Sequence, residues 1–308
     1  MTTNQSIELE KRQLWWAAIK PPMYTVAVIP ILLGTAIATV NQPTINYGLA
    51  TMFLVSAISI IAWLNLSNDV FDADTGIDRN KHHSIVNLTG QKDLIFYIST
   101  AFLLVGLAGI GAVAWWSQDW RVLALILGAC FLGYTYQGPP FRLGYHGLGE
   151  LICLITFGPM TIAAVVYAQG SSFNWLAAYG ATFIGLTTTI ILFCSHFHQV
   201  TDDLAAGKRS PIVRLGTQRG AQVLTGAMVI GLGIVPLAVL SGAWPPATLL
   251  VFLSSPIAWQ LVRHVQQFHD QPERIKNCKF IAVKFHFWSG LLLCFGLVSL
   301  QILARFIA

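Results

Sequence analysis

Charge is what this sequence has least of. Asp, Glu, Lys and Arg make up 10% of its 308 residues, against roughly 25% in a soluble domain. A solvated shell cannot be built from so little, so a polytopic membrane protein is expected. Cysteine is sparse too. Cys130, Cys153, Cys194, Cys278 and Cys294 form no CxxC, and four of them fall in apolar runs. That excludes a disulfide framework and a thiolate metal site and leaves small core residues. The N-terminus, MTTNQSIELEKRQLWW, lacks the apolar core of a secretory signal, so none is expected. Nor is there a basic stripe: the formal charge of +5 is spread over short loops, which argues against a nucleic-acid partner.

What fills the chain instead is apolar, 55% hydrophobic with eighteen Phe and ten Trp. A crossing helix needs about 20 mostly apolar residues. Nine stretches qualify, about 23–40, 47–66, 94–116, 121–137, 148–168, 174–195, 221–241, 246–263 and 287–307. The expectation is an all-α, polytopic membrane protein: one domain over 1–308 with a polar tail at about 1–14, nine transmembrane helices around a central cavity, and cap loops in the cytoplasm. Pro30, Pro159 and Pro256 fall inside spans, where other groups must satisfy the freed carbonyls. With the N-terminus in the cytoplasm, sixteen of the eighteen Lys and Arg fall on that side, leaving Arg121 and Arg305 outside. Such a bias fixes the orientation. Twelve of thirteen carboxylates and all eight histidines share the side, so the chemistry is expected at the cytoplasmic mouth. The tryptophans at 15, 16, 115, 116 and 120 read as an interfacial belt. Whether the bilayer is a plasma or a thylakoid membrane, and whether the chain oligomerises, is not written in the sequence.

The polar residues gather in two long loops, 67–93 and 196–220. In the first, SNDVFDADTGIDRNKHH follows an apolar run directly. If the second span continues as a helix, Asn65, Asn68, Asp69 and Asp72 share a side. Gly76 then stops the helix, and Asp78 follows. Like charges so close repel, and a divalent cation relieves them. An oxygen-only set suits Mg²⁺, which is commonly shared with substrate phosphates. Arg79, Lys81, Lys208 and Arg209 can hold the remaining phosphate oxygens. The second loop repeats the design, with Asp202 and Asp203, then Gly207, Lys208 and Arg209. Asp72 and Asp203 are 131 residues apart, and the two loops are expected to face each other. The alternative is a pair of ordinary solvated loops.

Other polar residues converge on this side. Arg142 reads equally as a phosphate ligand or an anchor. Glu150 reads as an acid stabilised by a helix N-terminus. His196, His198 and Gln199 are substrate-facing or structural. Tyr134 and Tyr136 can meet a cation face-on or simply pack. Lys20, Lys279 and Lys284 read as interface anchors.

NDVFDADTGID resembles the first Asp-rich motif of the UbiA superfamily of intramembrane prenyltransferases, and DDLAAGKRSPIVRLG the second. YQGPPFRLGYHGLGELICLITFGP and KPPMYTVAVIPILLGTAIA are similar to further stretches of that superfamily. The resemblance covers essentially the whole chain. It is strongest to the branch that prenylates 1,4-dihydroxy-2-naphthoate, in cyanobacterial and plastid form. That implies phytyl diphosphate as donor, Mg²⁺ as cofactor, and loss of CO₂ from the attacked carbon. Homogentisate or 4-hydroxybenzoate as acceptor is the nearest alternative. One departure stands out. The superfamily generally carries Asp where this chain has Gln199, with Asp202 beside Asp203 instead. The ligand set implied is Asn68, Asp69, Asp72 and Asp78 with Asp202 and Asp203, and the cations are Arg79, Lys81, Arg142, Lys208 and Arg209. A secondary transporter is the rival of another class, but transporters place ionisable residues near the midplane.

Overall fold

The computed structural model describes residues 15, 16, 19–42, 44–77 and 84–307, with side chains through 299. Helices dominate, as expected. After a 3₁₀ turn at Pro21–Tyr24 come α1 (Thr25–Asn41), α2 (Tyr47–Thr75), α3 (Lys92–Ser117), α4 (Arg121–Gln137), α5 (Gly149–Ala168), α6 (Trp175–His196), α7 (Thr217–Leu240), α8 (Ser255–Phe268) and α9 (Cys278–Ile307). Among the described residues, seven stretches are long and apolar enough to cross a bilayer: the 3₁₀ turn with α1, then α2, α3, α5, α6, α7 and Pro272–Ser299. At 17 residues α4 is shorter.

Large apolar side chains such as Leu104, Val105, Val229, Leu240 and Trp259 are exposed around the perimeter. In water that surface would aggregate; in lipid it is matched. The apolar window of α6 is 67% buried and that of α3 only 22%, so α6 is central and α3 peripheral. Close packing rests on glycine. A Cβ on Gly185 of α6 would lie 2.6 Å from the Leu154 carbonyl oxygen of α5, so the two helices meet backbone to backbone there. Opposite, Gly158 lies in a π turn at Thr156–Met160. Pro159 cannot donate a backbone hydrogen bond, and the Thr161 hydroxyl donates to the Thr156 carbonyl at 2.6 Å.

Three expectations change. The stretch at 246–263 is not one α-helix: Pro246–Ser254 is 3₁₀ and α8 follows. The 3₁₀ backbone presses on α9, where a Cβ on Gly296 would lie 2.6 Å from Thr248 Cα. Pro256 therefore sits in the first turn of α8, where its missing N–H costs nothing, not in the interior of an α-helix. The last helix starts at Cys278, well before 287. His286 consequently lies inside the bundle, fully buried, with Nδ1 2.9 Å from the Thr187 hydroxyl.

Opposite the acidic loops, polar turns clasp each other. The Asn46 N–H donates to Gln169 Oε1 at 3.0 Å, and Gln169 Nε2 donates back to the Asn46 carbonyl at 3.1 Å. Asn46 and Asn174 cap α2 and α6 by accepting from Leu49 and Ala177.

Candidate active site

The acidic end of α2 is a true helix extension. It runs to Thr75 and stops at Gly76 with φ 71°, a conformation glycine adopts without strain. Its polar residues divide between neighbours. Asn65 and Asn68 line the main cavity. Asp69, 1% exposed, accepts from Lys20 Nζ at 3.0 Å and from the Ile85 N–H at 3.0 Å. Asp72 accepts from Gln137 Nε2 of α4 at 2.6 Å. Lys20 is thus no mere anchor: its charge is spent on the first motif. Asp78, Arg79 and Lys81 lie outside the described residues.

The second motif is more enclosed. α6 ends at His196, and a short helix, Val200–Ala205, presents Asp203 inward. The Asp203 N–H donates to the Gln199 carbonyl at 2.7 Å, and the Lys208 N–H donates to the Asp203 carbonyl at 2.7 Å. Around the Asp203 carboxylate stand His196 Nδ1 at 3.3 Å and Lys208 Nζ at 3.4 Å, while His196 Nε2 lies 3.4 Å from Glu150 Oε1. Burial pushes the Asp203 carboxyl up, but His196, Lys208 and Ser210 together outweigh it and hold the pKa below the ordinary carboxylate value. None of these contacts has hydrogen-bond geometry, so both carboxylate oxygens of Asp203 and of Glu150 are buried without a donor among the described residues.

The remaining residues separate by environment. Lys208 is buried and Arg209 exposed. Asp202 is half-buried, with no ion pair among the described residues. Gln199 precedes the short helix as its N-cap. His198 acts electrostatically on Glu273. Tyr134 is occupied in packing: its hydroxyl donates to the Pro139 carbonyl at 2.6 Å, and its ring meets Phe71 edge-on at 5.7 Å. Tyr136 instead lines the cavity. Its ring is gripped by Gly144 and Gly149, where an added Cβ would lie 2.5 Å from Tyr136 Cε2 at either position. The charges of Glu150, Asp72 and Asp203 all act on its hydroxyl. Arg142 holds a left-handed φ of 43° and buries Nε without a hydrogen-bond partner among the described residues. Strain at a non-glycine residue clusters at functional sites.

Tyr145, which sequence reasoning passed over, ties the halves together. Its hydroxyl donates to Thr75 Oγ1 at 2.7 Å, at the end of the first motif. Its carbonyl accepts from the Arg209 N–H at 2.8 Å, in the second. Asp72, Lys208 and Arg142 all act on it electrostatically. Gly147 makes the crossing possible, with φ 75° and a Cβ position only 2.8 Å from the Arg209 carbonyl oxygen. Gln137 was also missed. The one available signal was the run GYHGLGE, in which glycines flank both Tyr145 and Glu150.

Below these residues lies a cavity of about 240 Å³ walled by α1 to α6 and the start of α9. Phe53, Ile61, Leu64 and Ile126 are among its apolar walls. Among the described residues no three His, Cys, Asp or Glu side chains converge as a metal cage. The oxygen-rich donors and orphaned carboxylates do fit a hard cation that keeps waters and shares substrate oxygens, since such an ion needs only one or two protein carboxylates.

The sequence pattern of the UbiA prenyltransferase family matches residues 27–300. Over 285 residues, 92% of this chain and 93% of the relative, the chain is 61% identical to 2-carboxy-1,4-naphthoquinone phytyltransferase of Synechocystis sp.. It is 38% identical to the chloroplastic 2-carboxy-1,4-naphthoquinone phytyltransferase of Arabidopsis thaliana, covering 96% of this chain and 79% of that one. Among solved structures, a UbiA homolog from Archaeoglobus fulgidus bound to GPP and Mg²⁺ superposes with a TM-score of 0.62 at 15% identity, covering 91% of this chain and 99% of that chain. The similarity to that structure is one of fold.

Proposed function

This chain belongs to the UbiA prenyltransferase family, and from that premise we propose that it transfers a phytyl group from phytyl diphosphate to 1,4-dihydroxy-2-naphthoate, releasing diphosphate and CO₂. The two phytyltransferases it matches are named for the carboxynaphthoquinone, the two-electron oxidised form of this acid. An allylic cation needs an electron-rich ring, and the dihydroxy form supplies it. The observation that carries the reading is the meeting of two acidic motifs, 131 residues apart in sequence, over one apolar cavity.

Asn68, Asp69, Asp72 and Asp203 would be the oxygen ligands at the mouth, with Asp202 and Asp78 completing the set. Mg²⁺, when bound there, supplies Lewis-acid neutralisation of the diphosphate. Arg142, Lys208 and Arg209, with Arg79 and Lys81, add the positive charge that stabilises the leaving group. Tyr136, fixed between its two glycines, turns its ring to the cavity, where a delocalised cation gains from an aromatic face. The apolar walls exclude the water that would quench that cation. Gln199 contributes a neutral oxygen where relatives generally have a carboxylate, which leaves the second motif with Asp202 and Asp203 as its anions.

In this reading residues 1–308 form one domain. α4 and the 3₁₀–α8 segment complete nine crossings, and the acidic loops cap the cytoplasmic mouth. The test is a transfer assay on the purified protein in lipid, with Mg²⁺, phytyl diphosphate and a panel of aromatic acids, read by mass spectrometry. Decarboxylated phytyl-naphthoquinol is the expected product. Product with homogentisate or 4-hydroxybenzoate alone would overturn the acceptor assignment.

A further inference from the structure

Lys279 stands in the first turn of α9 and lines the cavity. Among the described residues of that lining it carries the only charge. Its sequence position reads as an interface anchor; in the fold it is half-buried on the cavity wall, with its ammonium 5.2 Å from the centre of the Phe280 ring. Cys278 Sγ donates to the Cys194 carbonyl at 3.1 Å, which seats the start of α9 against the end of α6. Ser195, the next residue of α6, lines the same cavity. From α2, Asn65 and Asn68 reach the cavity as well. Asn65 Nδ2 is buried there, and although the Tyr24 hydroxyl is within reach it completes no hydrogen bond of good geometry.

An ammonium group and an amide donor thus serve one chamber that is otherwise almost wholly apolar. The cations near the acidic motifs, Arg142, Lys208 and Arg209, are absent from its lining. A carboxylate carried into such a chamber is costly unless charge and donors meet it. The neighbouring acidic motifs would make it costlier still. We propose that Lys279, with Asn65, forms the subsite that takes the carboxylate of the aromatic acceptor and so orients the ring toward the donor. The inference rests on the acceptor reading above. Lys279 binds and orients; it takes no part in bond making. A carbon–carbon bond forms at the carboxylate-bearing carbon, the bond to the carboxylate then breaks, and its electron pair restores the aromatic ring as CO₂ leaves.

The test uses the full-length protein in lipid nanodiscs and compares inhibition of phytyl transfer by 1-hydroxy-2-naphthoate and by 1-naphthol. The wild type is expected to favour the acid. Lys279→Met should erase that preference by about ten- to a hundredfold, the worth of a charge-assisted hydrogen bond. It should also raise KM for the acceptor and leave KM for phytyl diphosphate unchanged. Lys279→Arg should restore most of the selectivity, and Lys279→Gln gives the same reading as Met should the Met variant fail to accumulate. Unchanged acid preference in the neutral variants overturns the proposal. So does a rise in KM confined to phytyl diphosphate, which would assign Lys279 to the leaving group. A wild type that transfers phytyl to no hydroxynaphthoate sinks the underlying function; an active wild type with unaltered selectivity in the variants sinks only this subsite.

Discussion

At the scale of single residues, the carboxylates of the two motifs differ in what already holds them. Asp69 is bound to Lys20 and a backbone N–H, Asp72 accepts from Gln137, and Asp203 shares His196 and Lys208. Asp74, by contrast, pairs with Lys92 at the surface. Asp72→Asn and Asp203→Asn should each lower phytyl transfer on the order of 10²–10³, the cost of losing one preorganised electrostatic partner. Asp74→Asn should leave turnover near normal. Steady-state rates of the three purified variants check this, and a Asp203→Asn enzyme as fast as the Asp74→Asn control would remove Asp203 from the chemistry. Residue types and spacing singled out Asn68, Asp72 and Asp203 as candidates in the sequence. Tyr145 was not, because its worth lies in touching Thr75 and Arg209, neither adjacent in the chain. The place of Lys279 on the cavity wall is hidden for the same reason: a lysine at the start of an apolar run reads as an anchor, and only the packing of α9 puts it beside the cavity.

Among the elements, the contact of α5 with α6 fixes the depth of the second motif, because α6 carries His196 at its end and α5 carries Glu150 at its beginning. The two helices approach through Gly158 and Gly185. Gly185→Leu forces a side chain into backbone, and overpacking of this kind costs about 1–3 kcal/mol or more. A lower thermal midpoint in detergent and a weakened transfer rate are expected together. Gly226, in α7, has no atom within 4 Å of its Cβ position, so Gly226→Ala should change neither. Equal midpoints for the Gly185→Leu and Gly226→Ala proteins would show that the close approach does not hold the helices. Hydropathy located most elements, since an apolar run in lipid must be helical to satisfy its backbone. It failed at 246–263 and at the start of α9, where a 3₁₀ segment and a polar first turn are fixed by packing of Gly296 against Thr248 and of Cys278 against Cys194.

For the whole molecule, the polar clasp of Asn46 and Gln169 and the acidic loops mark opposite ends of the bundle. By the excess of Lys and Arg on its side, the acidic end is expected in the cytoplasm. Ser172 and Gln218 are both exposed, one at each end. In sealed inside-out vesicles an impermeant maleimide should label Gln218→Cys and spare Ser172→Cys. The reverse pattern would invert the molecule. Sequence alone determined that the chain is a helical membrane protein with its ionisable residues gathered toward one side, because the scarcity of charge and the length of the apolar runs are local properties that lipid enforces. It also determined which residue types were on hand for a cation and a diphosphate. Tertiary structure decided the rest: which carboxylates are already paired, which tyrosine faces the cavity, and which lysine enters it. Those outcomes depend on contacts between residues far apart in the chain, and no local pattern encodes them.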